Sequence, residues 1–241
     1  MRVRWWIVLG ILILMPPLVA RAQEEIKVSG RVVDTAGKPV AGAEVALIWM
    51  AADNEMKPYL GVTANAEGRF TLAVTFRSRK RRLTAMDKDR KLGGFAWVEE
   101  KSAGTPLEMK VAPLVRVHGR VFCKELNKRP PWINVFVGSD SSLLLRWSSN
   151  DASFSFLLPP DDYQLRTIAP ECGVTFTTIS LKPDKRDVDL ETIDVPASII
   201  TRHIGKTPPA WHVTDARGVT KDVKLSDFKG KWVLLEFWGY W

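Results

Sequence analysis

The chain has 241 residues, 46% of them hydrophobic and 26% charged, which excludes global disorder and allows one to three domains. Its formal net charge is +8, and its two cysteines, Cys123 and Cys172, are too few for a disulfide scaffold and too far apart for a Cys-x-x-Cys pair. The three histidines, His118, His203 and His212, stand outside any ligand spacing, so no metal site is expected.

The N-terminus reads as an export signal. Arg2 and Arg4 precede the apolar run Trp5 to Leu14, Pro16-Pro17 break any helix, and Ala20-Arg21-Ala22 offers an A-x-A cleavage site. The run is too short and too interrupted by proline to span a bilayer comfortably. The alternative is an uncleaved anchor, which would associate the protein with the membrane. Removal of residues 1–22 takes away Arg2, Arg4 and Arg21 and no acid, so the charge falls from +8 to +5. The expected location is the periplasm or the cell envelope.

From Ile26 onward the texture is all-β. Short alternating runs, such as Ile26 to Val33 and Ala43 to Ile48, are separated by Gly, Pro, Asp and Asn turns. The chain also repeats itself. Val28-Ser29-Gly30-Arg31-Val32 returns as Val117-His118-Gly119-Arg120-Val121, and Gly68-Arg69-Phe70-Thr71-Leu72 returns as Ala152-Ser153-Phe154-Ser155-Phe156. Two echoes in the same order predict duplicated units of about 85 residues, too long for a solenoid repeat and large enough to fold alone.

Within the first unit, Ala36-Gly37 is expected to turn a hairpin, Pro39 and Gly42 to shape a crossing between sheets, and Glu67-Gly68 to turn tightly before Phe70 enters the core. On Gly30 to Asp34, Gly37 to Val45 and Asn65 to Phe70, this unit resembles the carboxypeptidase regulatory-like domain, a transthyretin-like β-sandwich. The second unit keeps that family's "LPP-x-x-Y-x-L" element as Leu158 to Leu165, but it loses the glycine-rich signature at Lys128 to Trp132. In the family such domains carry no chemistry of their own and serve as stalks or adhesion modules.

One basic run, Arg77, Arg79, Lys80, Arg81 and Arg82, lies between apolar strands at Phe70 to Phe76 and Leu83 to Met86. It holds no stacking aromatics, so it reads as a solvated hairpin tip or strand edge and not as a nucleic-acid site. Trp49, Trp97, Trp132 and Trp147 fit either a stacking surface or core packing, and core and strand-edge packing is the simpler account. Asp161-Asp162 and the acids from Asp184 to Asp189 sit in turn contexts. Cys123 and Cys172 both fall in the second unit, where they form either a pair or two isolated buried thiols.

A linker is expected from Pro196 to Lys206, and then the texture changes. Asp215-Ala216-Arg217-Gly218 signals a hairpin turn, Ser226 can cap one helical turn, and Gly230 can end it at positive φ. Trp232 to Trp238 is apolar on both faces, the pattern of a strand covered from both sides. From Gly205 to Trp241, about 37 residues, the chain resembles the start of the redoxin family, thioredoxin-like thiol–disulfide oxidoreductases and peroxidase relatives. The motifs are Gly205-Lys206 with Pro208 to Trp211, Leu225 to Lys231, and Val233-Leu234-Leu235 with Phe237-Trp238 and Trp241. Glu236 departs from the usual small polar residue.

The resemblance implies a Cys-x-x-Cys directly after Trp241, acting by thiolate attack through a mixed disulfide. It also implies a dithiol/disulfide protein as redox partner. Residues 1–241 would then be inactive alone, and no catalytic, cofactor-binding or metal-ligating residue is assigned within them. The competing expectation is a non-enzymatic surface-binding or spacer protein.

The expected organisation is a mainly β chain of two tandem transthyretin-like sandwiches followed by the opening of an α/β thioredoxin-like domain. The units are a signal peptide at 1–22, sandwiches at 23–112 and 113–198, and the thioredoxin-like fragment at 199–241. The A-x-A site makes a direct prediction. Exported protein should begin at Gln23 on N-terminal sequencing, and membrane-bound protein still carrying Met1 would establish an anchor instead.

Overall fold

The computed structural model describes residues 25–52, 55–76, 79–139, 142–207, 210, 215 and 217–234, so the leader at 1–22 lies outside the described residues. The chain is mainly β. In the first copy the strands are β1 (Glu25–Val33), β2 (Glu44–Ala52), β3 (Glu55–Thr63), β4 (Arg69–Thr75), β5 (Lys80–Met86), β6 (Leu92–Glu99), β7 (Leu107–Lys110) and β8 (Ala112–Pro113). In the second they are β9 (Val115–Phe122), β10 (Ile133–Ser139), β11 (Ser142–Ser149), β12 (Ser153–Leu158), β13 (Asp162–Ile168), β14 (Thr175–Ser180) and β15 (Asp187–Asp194).

The copies share one wiring. β1 pairs antiparallel with β4 and parallel with β7. β9 does the same with β12 and β15. Opposite each small sheet, β2 pairs antiparallel with β3 and β5, and β5 with β6. β10 repeats that pattern with β11 and β13, and β13 with β14. Alternation puts every second side chain of β4, Phe70, Leu72 and Val74, into the first core, and those of β12, Phe154, Phe156 and Leu158, into the second.

The repeated glycine has a physical reason. Gly30 lies opposite Phe70, and Gly119 opposite Phe154. A Cβ on Gly30 would fall 2.3 Å from the Leu107 carbonyl oxygen and 2.8 Å from the Phe70 ring; on Gly119 it would fall 2.8 Å from the Phe154 ring. In both copies the bare backbone lets an aromatic ring lie across the central strand.

The turn before that aromatic is also repeated, but with different residues. Gly68 has φ 72°, and its counterpart Ala152 holds φ 58°. In the first copy Asn65 Oδ1 accepts from the backbone N–H groups of Glu67 (3.1 Å) and Arg69 (2.8 Å). In the second, Asp151 Oδ1 accepts from the Ser153 N–H (3.0 Å) and hydroxyl (2.6 Å). The Ser149 and Ser153 hydrogen bonds hold the Asp151 carboxyl down to about 2. Geometry persists where the glycine signature has gone.

The two sandwiches are joined within one sheet. On one side of β2, residues Glu44 to Ala46 pair with β5. Beyond them Trp49 to Ala52 pair in parallel with Leu145 to Ser148 of β11. The result, among the described residues, is a nine-stranded sheet ordered β14-β13-β10-β11-β2-β5-β6-β8, with β3 on the other edge of β2. Trp49, fully buried, comes from the first copy yet packs in the core of the second, alongside Leu145, Trp147 and Phe154. β2 therefore serves both cores.

A strand shared in this way couples the copies energetically. Truncating a buried Trp removes apolar burial and leaves a cavity, about 3–5 kcal/mol together. The intact chain should show one calorimetric unfolding transition for both sandwiches, and Trp49→Ala should lower its stability by that amount. Two separate transitions in the unaltered chain would contradict the shared strand.

Candidate functional site

The basic run is only in part the solvated hairpin tip or strand edge that composition predicts. Arg77 lies outside the described residues, and Arg79 and Lys80 are exposed, but β5 continues inward and Arg82 is only 2% exposed. Its guanidinium crosses from the first copy to the second. It donates to the Ser139 hydroxyl and to Tyr163 Oη (3.3 Å), and it pairs with the Asp161 carboxylate at 3.1 Å. The Phe95 ring lies 3.8 Å from the guanidinium carbon. Burial pushes the Tyr163 phenol above its ordinary range, against the opposing pull of Arg82, so the hydroxyl stays protonated and donates to the Pro159 carbonyl at 2.8 Å. The "LPP-x-x-Y" element was legible in the sequence; its arginine partner was not, because a basic run signals solvent unless tertiary pairing covers it.

The remaining polar features are structural in setting. His118, on β9, sits between Asp187 (Nε2 to Oδ2, 2.9 Å) and Asp189 (Nδ1 to Oδ1, 3.5 Å). His203 Nδ1 lies 2.7 Å from the Ile199 carbonyl oxygen, and His212 lies outside the described residues. Among the described residues no cluster of three or more His, Cys, Asp or Glu side chains could hold a metal ion. The tryptophans do not form one stacking surface. Trp49 and Trp147 are core, Trp97 is half-buried beneath Lys80 (4.3 Å), and Trp132 is exposed.

The structure brings Cys123, buried, and Cys172, half-buried, close to each other as free thiols. Burial, the adjoining Cys123 thiol and Glu171, against Lys128, push Cys172 up to about 11. Directly below them the predicted linker is anchored. The short helix α1 (Ile199–His203) is capped by Ser198, whose Oγ accepts from the Thr201 N–H at 3.1 Å. Arg202 grips Glu125 with Nε to Oε2 at 2.8 Å and Nη2 to Oε1 at 2.5 Å, and holds that carboxyl below its usual range. Thr201 Oγ1 donates to the Glu171 carbonyl at 2.8 Å.

Past α1 the described residues leave the sandwich. A 3-10 turn forms at Leu225–Phe228, as the sequence predicts in place, but its closing contact is the Asp227 carboxylate accepting from the Lys224 N–H at 2.9 Å, with Ser226 inside the turn. Gly230 has the expected positive φ, 79°. The hairpin expected around Asp215 to Gly218 falls partly outside the described residues, and residues 217–223 form no strand. The strand expected at Trp232 to Trp238 is likewise only partly described. Trp232, Val233 and Leu234 are exposed and unpaired in any sheet, because no described layer covers either face, and Leu235 to Trp241 lie outside the described residues.

No protein-family profile matches the chain. A 38-residue stretch is 55% identical to the thiol-disulfide oxidoreductases ResA of Bacillus thuringiensis subspecies konkukian and of Bacillus cereus. That stretch is 16% of this chain and 21% of each relative, so the chain spans about a fifth of the length of the curated relatives it matches. Solved structures with similar features include the Bacillus anthracis TIE protein, at 9% identity over 72% of this chain and 34% of that one, TM-score 0.33. Another is the shaft pilin SpaA of Lactobacillus rhamnosus GG, at 8% identity, 73% and 98% coverage and TM-score 0.31. The minor pilin GBS52 of Streptococcus agalactiae matches at 11% identity, 80% and 100% coverage and TM-score 0.31. Likeness this low says nothing about function.

The buried arginine gives the second mutational prediction. Arg82→Ala leaves Asp161 without its ion-pair partner and the Tyr163 hydroxyl with the Pro159 carbonyl alone, and should cost about 3 kcal/mol. Arg82→Met keeps most of the volume and removes the charge, so it should lose distinctly less. Equal stabilities for all three proteins in urea titration would show that the bridge contributes nothing.

Proposed function

We propose that residues from Gly205 onward open a thioredoxin-like domain, and that the two sandwiches are its exported mount in a thiol–disulfide oxidoreductase or peroxidase-type antioxidant. The observation that carries this reading is the 55% identity over 38 residues with the two ResA proteins. Its length, 38 residues, is close to the 37 of the segment from Gly205 to Trp241 in which the redoxin motifs lie. The organisation is then a leader at 1–22, sandwiches at 23–112 and 113–198, and a thioredoxin-like portion from 199. The N-terminal basic residues, apolar run and A-x-A site support export to the periplasm or cell envelope.

The chemistry requires no cofactor. A thiolate supplied after Trp241 attacks a partner protein's disulfide, and a second thiol resolves the mixed disulfide. The sandwiches contribute placement. Their shared sheet makes them one body, and α1 leaves that body at a point fixed by Arg202, Glu125 and Thr201. The half-exposed thiol near that point, Cys172, is a poor nucleophile at neutral pH because so little of it is thiolate.

The test is insulin-disulfide reduction by two proteins, one ending at Trp241 and one carrying the residues encoded after it. The longer protein should turn over and the shorter should not. Catalysis by the chain ending at Trp241, abolished by Cys123→Ser with Cys172→Ser, would overturn this assignment. An inactive longer protein would favour a spacer.

A further inference from the structure

The fold brings two cysteines to one spot through backbone contacts to a shared segment of chain. Cys123 follows β9 and exchanges hydrogen bonds with Lys128 (N to O 3.0 and O to N 3.2 Å). The segment after β15 then acts as a splint. On one side the Val195 N–H donates to the Phe122 carbonyl at 2.9 Å; on the other the Gly173 N–H donates to the Pro196 carbonyl at 2.8 Å, and Cys172 bridges to Ala197. Residues 122–123 and 172–173 are therefore held against the same short run of chain. An ion pair between Lys128 and Glu171, the ladder partner of one cysteine and the neighbour of the other, closes the arrangement.

We propose that Cys123 and Cys172 are a reversible dithiol–disulfide couple that locks the base of the second sandwich, oxidised and reduced by exchange with an external disulfide or dithiol. Cys172 is the entry point, since it is half-buried while Cys123 is fully buried. The small thiolate fraction of Cys172, which grows as pH rises, attacks the external disulfide slowly at neutral pH, expels one thiolate and forms a mixed disulfide. The Cys123 thiolate then attacks the Cys172 sulfur and expels the second. The two cysteines give up two protons and two electrons, and the external disulfide becomes two thiols. The couple depends on no residue beyond Trp241, so it stands apart from the redoxin reading.

The bond would close a loop of about 50 residues, from the end of β9 to the end of the β13–β14 turn, and so restrict the unfolded chain. It would also fix Glu171, whose carbonyl receives the Ser198 N–H and the Thr201 hydroxyl and so anchors α1. Oxidation thus stiffens the point from which the C-terminal segment departs.

The experiment equilibrates the reduced full chain with oxidised glutathione in one arm and an oxidised thioredoxin in the other. Intact mass, non-reducing peptide mapping and melting are then measured. In at least one arm the chain should lose two hydrogens, yield a single peptide pair joined through Cys123 and Cys172, and melt about 10 °C higher. Dithiothreitol should reverse all three changes. Which arm succeeds identifies the source of the disulfide. Two thiols still fully alkylatable after denaturation in both arms, or a lasting glutathione adduct on Cys172 with no internal link, would overturn the proposal. These readouts involve no catalysis, so they fail independently of the insulin assay. A Cys172→Ser chain should leave Cys123 unmodified, as entry through Cys172 requires; glutathione on Cys123 in that chain would overturn the order of attack.

Discussion

The second half of β2 carries more of this structure than any other segment. Its first residues belong to the first sandwich, but Trp49 to Ala52 pair with β11 and present Trp49 to the second core. Without that seam, β2 and β11 would each leave a run of unpaired backbone groups beside buried apolar surface, which is both costly and prone to aggregation. With it, two repeats that could each have closed alone become a single nine-stranded sheet faced by two three-stranded ones.

The seam also explains a buried charge. Where the two copies meet, the Arg82 side chain reaches from β5 to Ser139, Asp161 and Tyr163 of the second copy. An isolated guanidinium there would be severely penalised, but Asp161, Ser139, Tyr163 and the face of Phe95 each take part of its field. Such an arrangement adds little net stability over a hydrophobic filling, and the Arg82 Nε stays buried without a hydrogen-bond partner. Both features fix the placement of the two copies relative to each other.

Much of this was legible in the sequence, and the legible part is local. The echoes at Gly30 and Gly119, and at Phe70 and Phe154, mark positions where a ring crosses a bare backbone, a constraint that survives divergence. Turn chemistry at Ala36-Gly37 and Glu67-Gly68, where both glycines hold positive φ, is equally short-range. The part that escaped is long-range. Nothing in the alternation of β2 announces a parallel partner nearly a hundred residues away, and nothing in Arg77 to Arg82 distinguishes its exposed members from the buried one. The cysteines lie 49 positions apart and meet only because β15 and the residues after it tie their two turns together. In the C-terminal segment the 3-10 turn and Gly230 obey local rules, whereas the strand pattern at Trp232 needs neighbours that the described residues do not supply.

Hydrogen exchange under native conditions probes the shared seam most directly. If the two sandwiches are one folding unit, the amides of Trp49 to Ala52 and of Leu145 to Ser148 should exchange only through global unfolding, with the same free energy as the centres of β9 and β1. Seam amides that exchange at markedly lower free energy, while both cores stay protected, would show two independent sandwiches merely touching and would contradict this account.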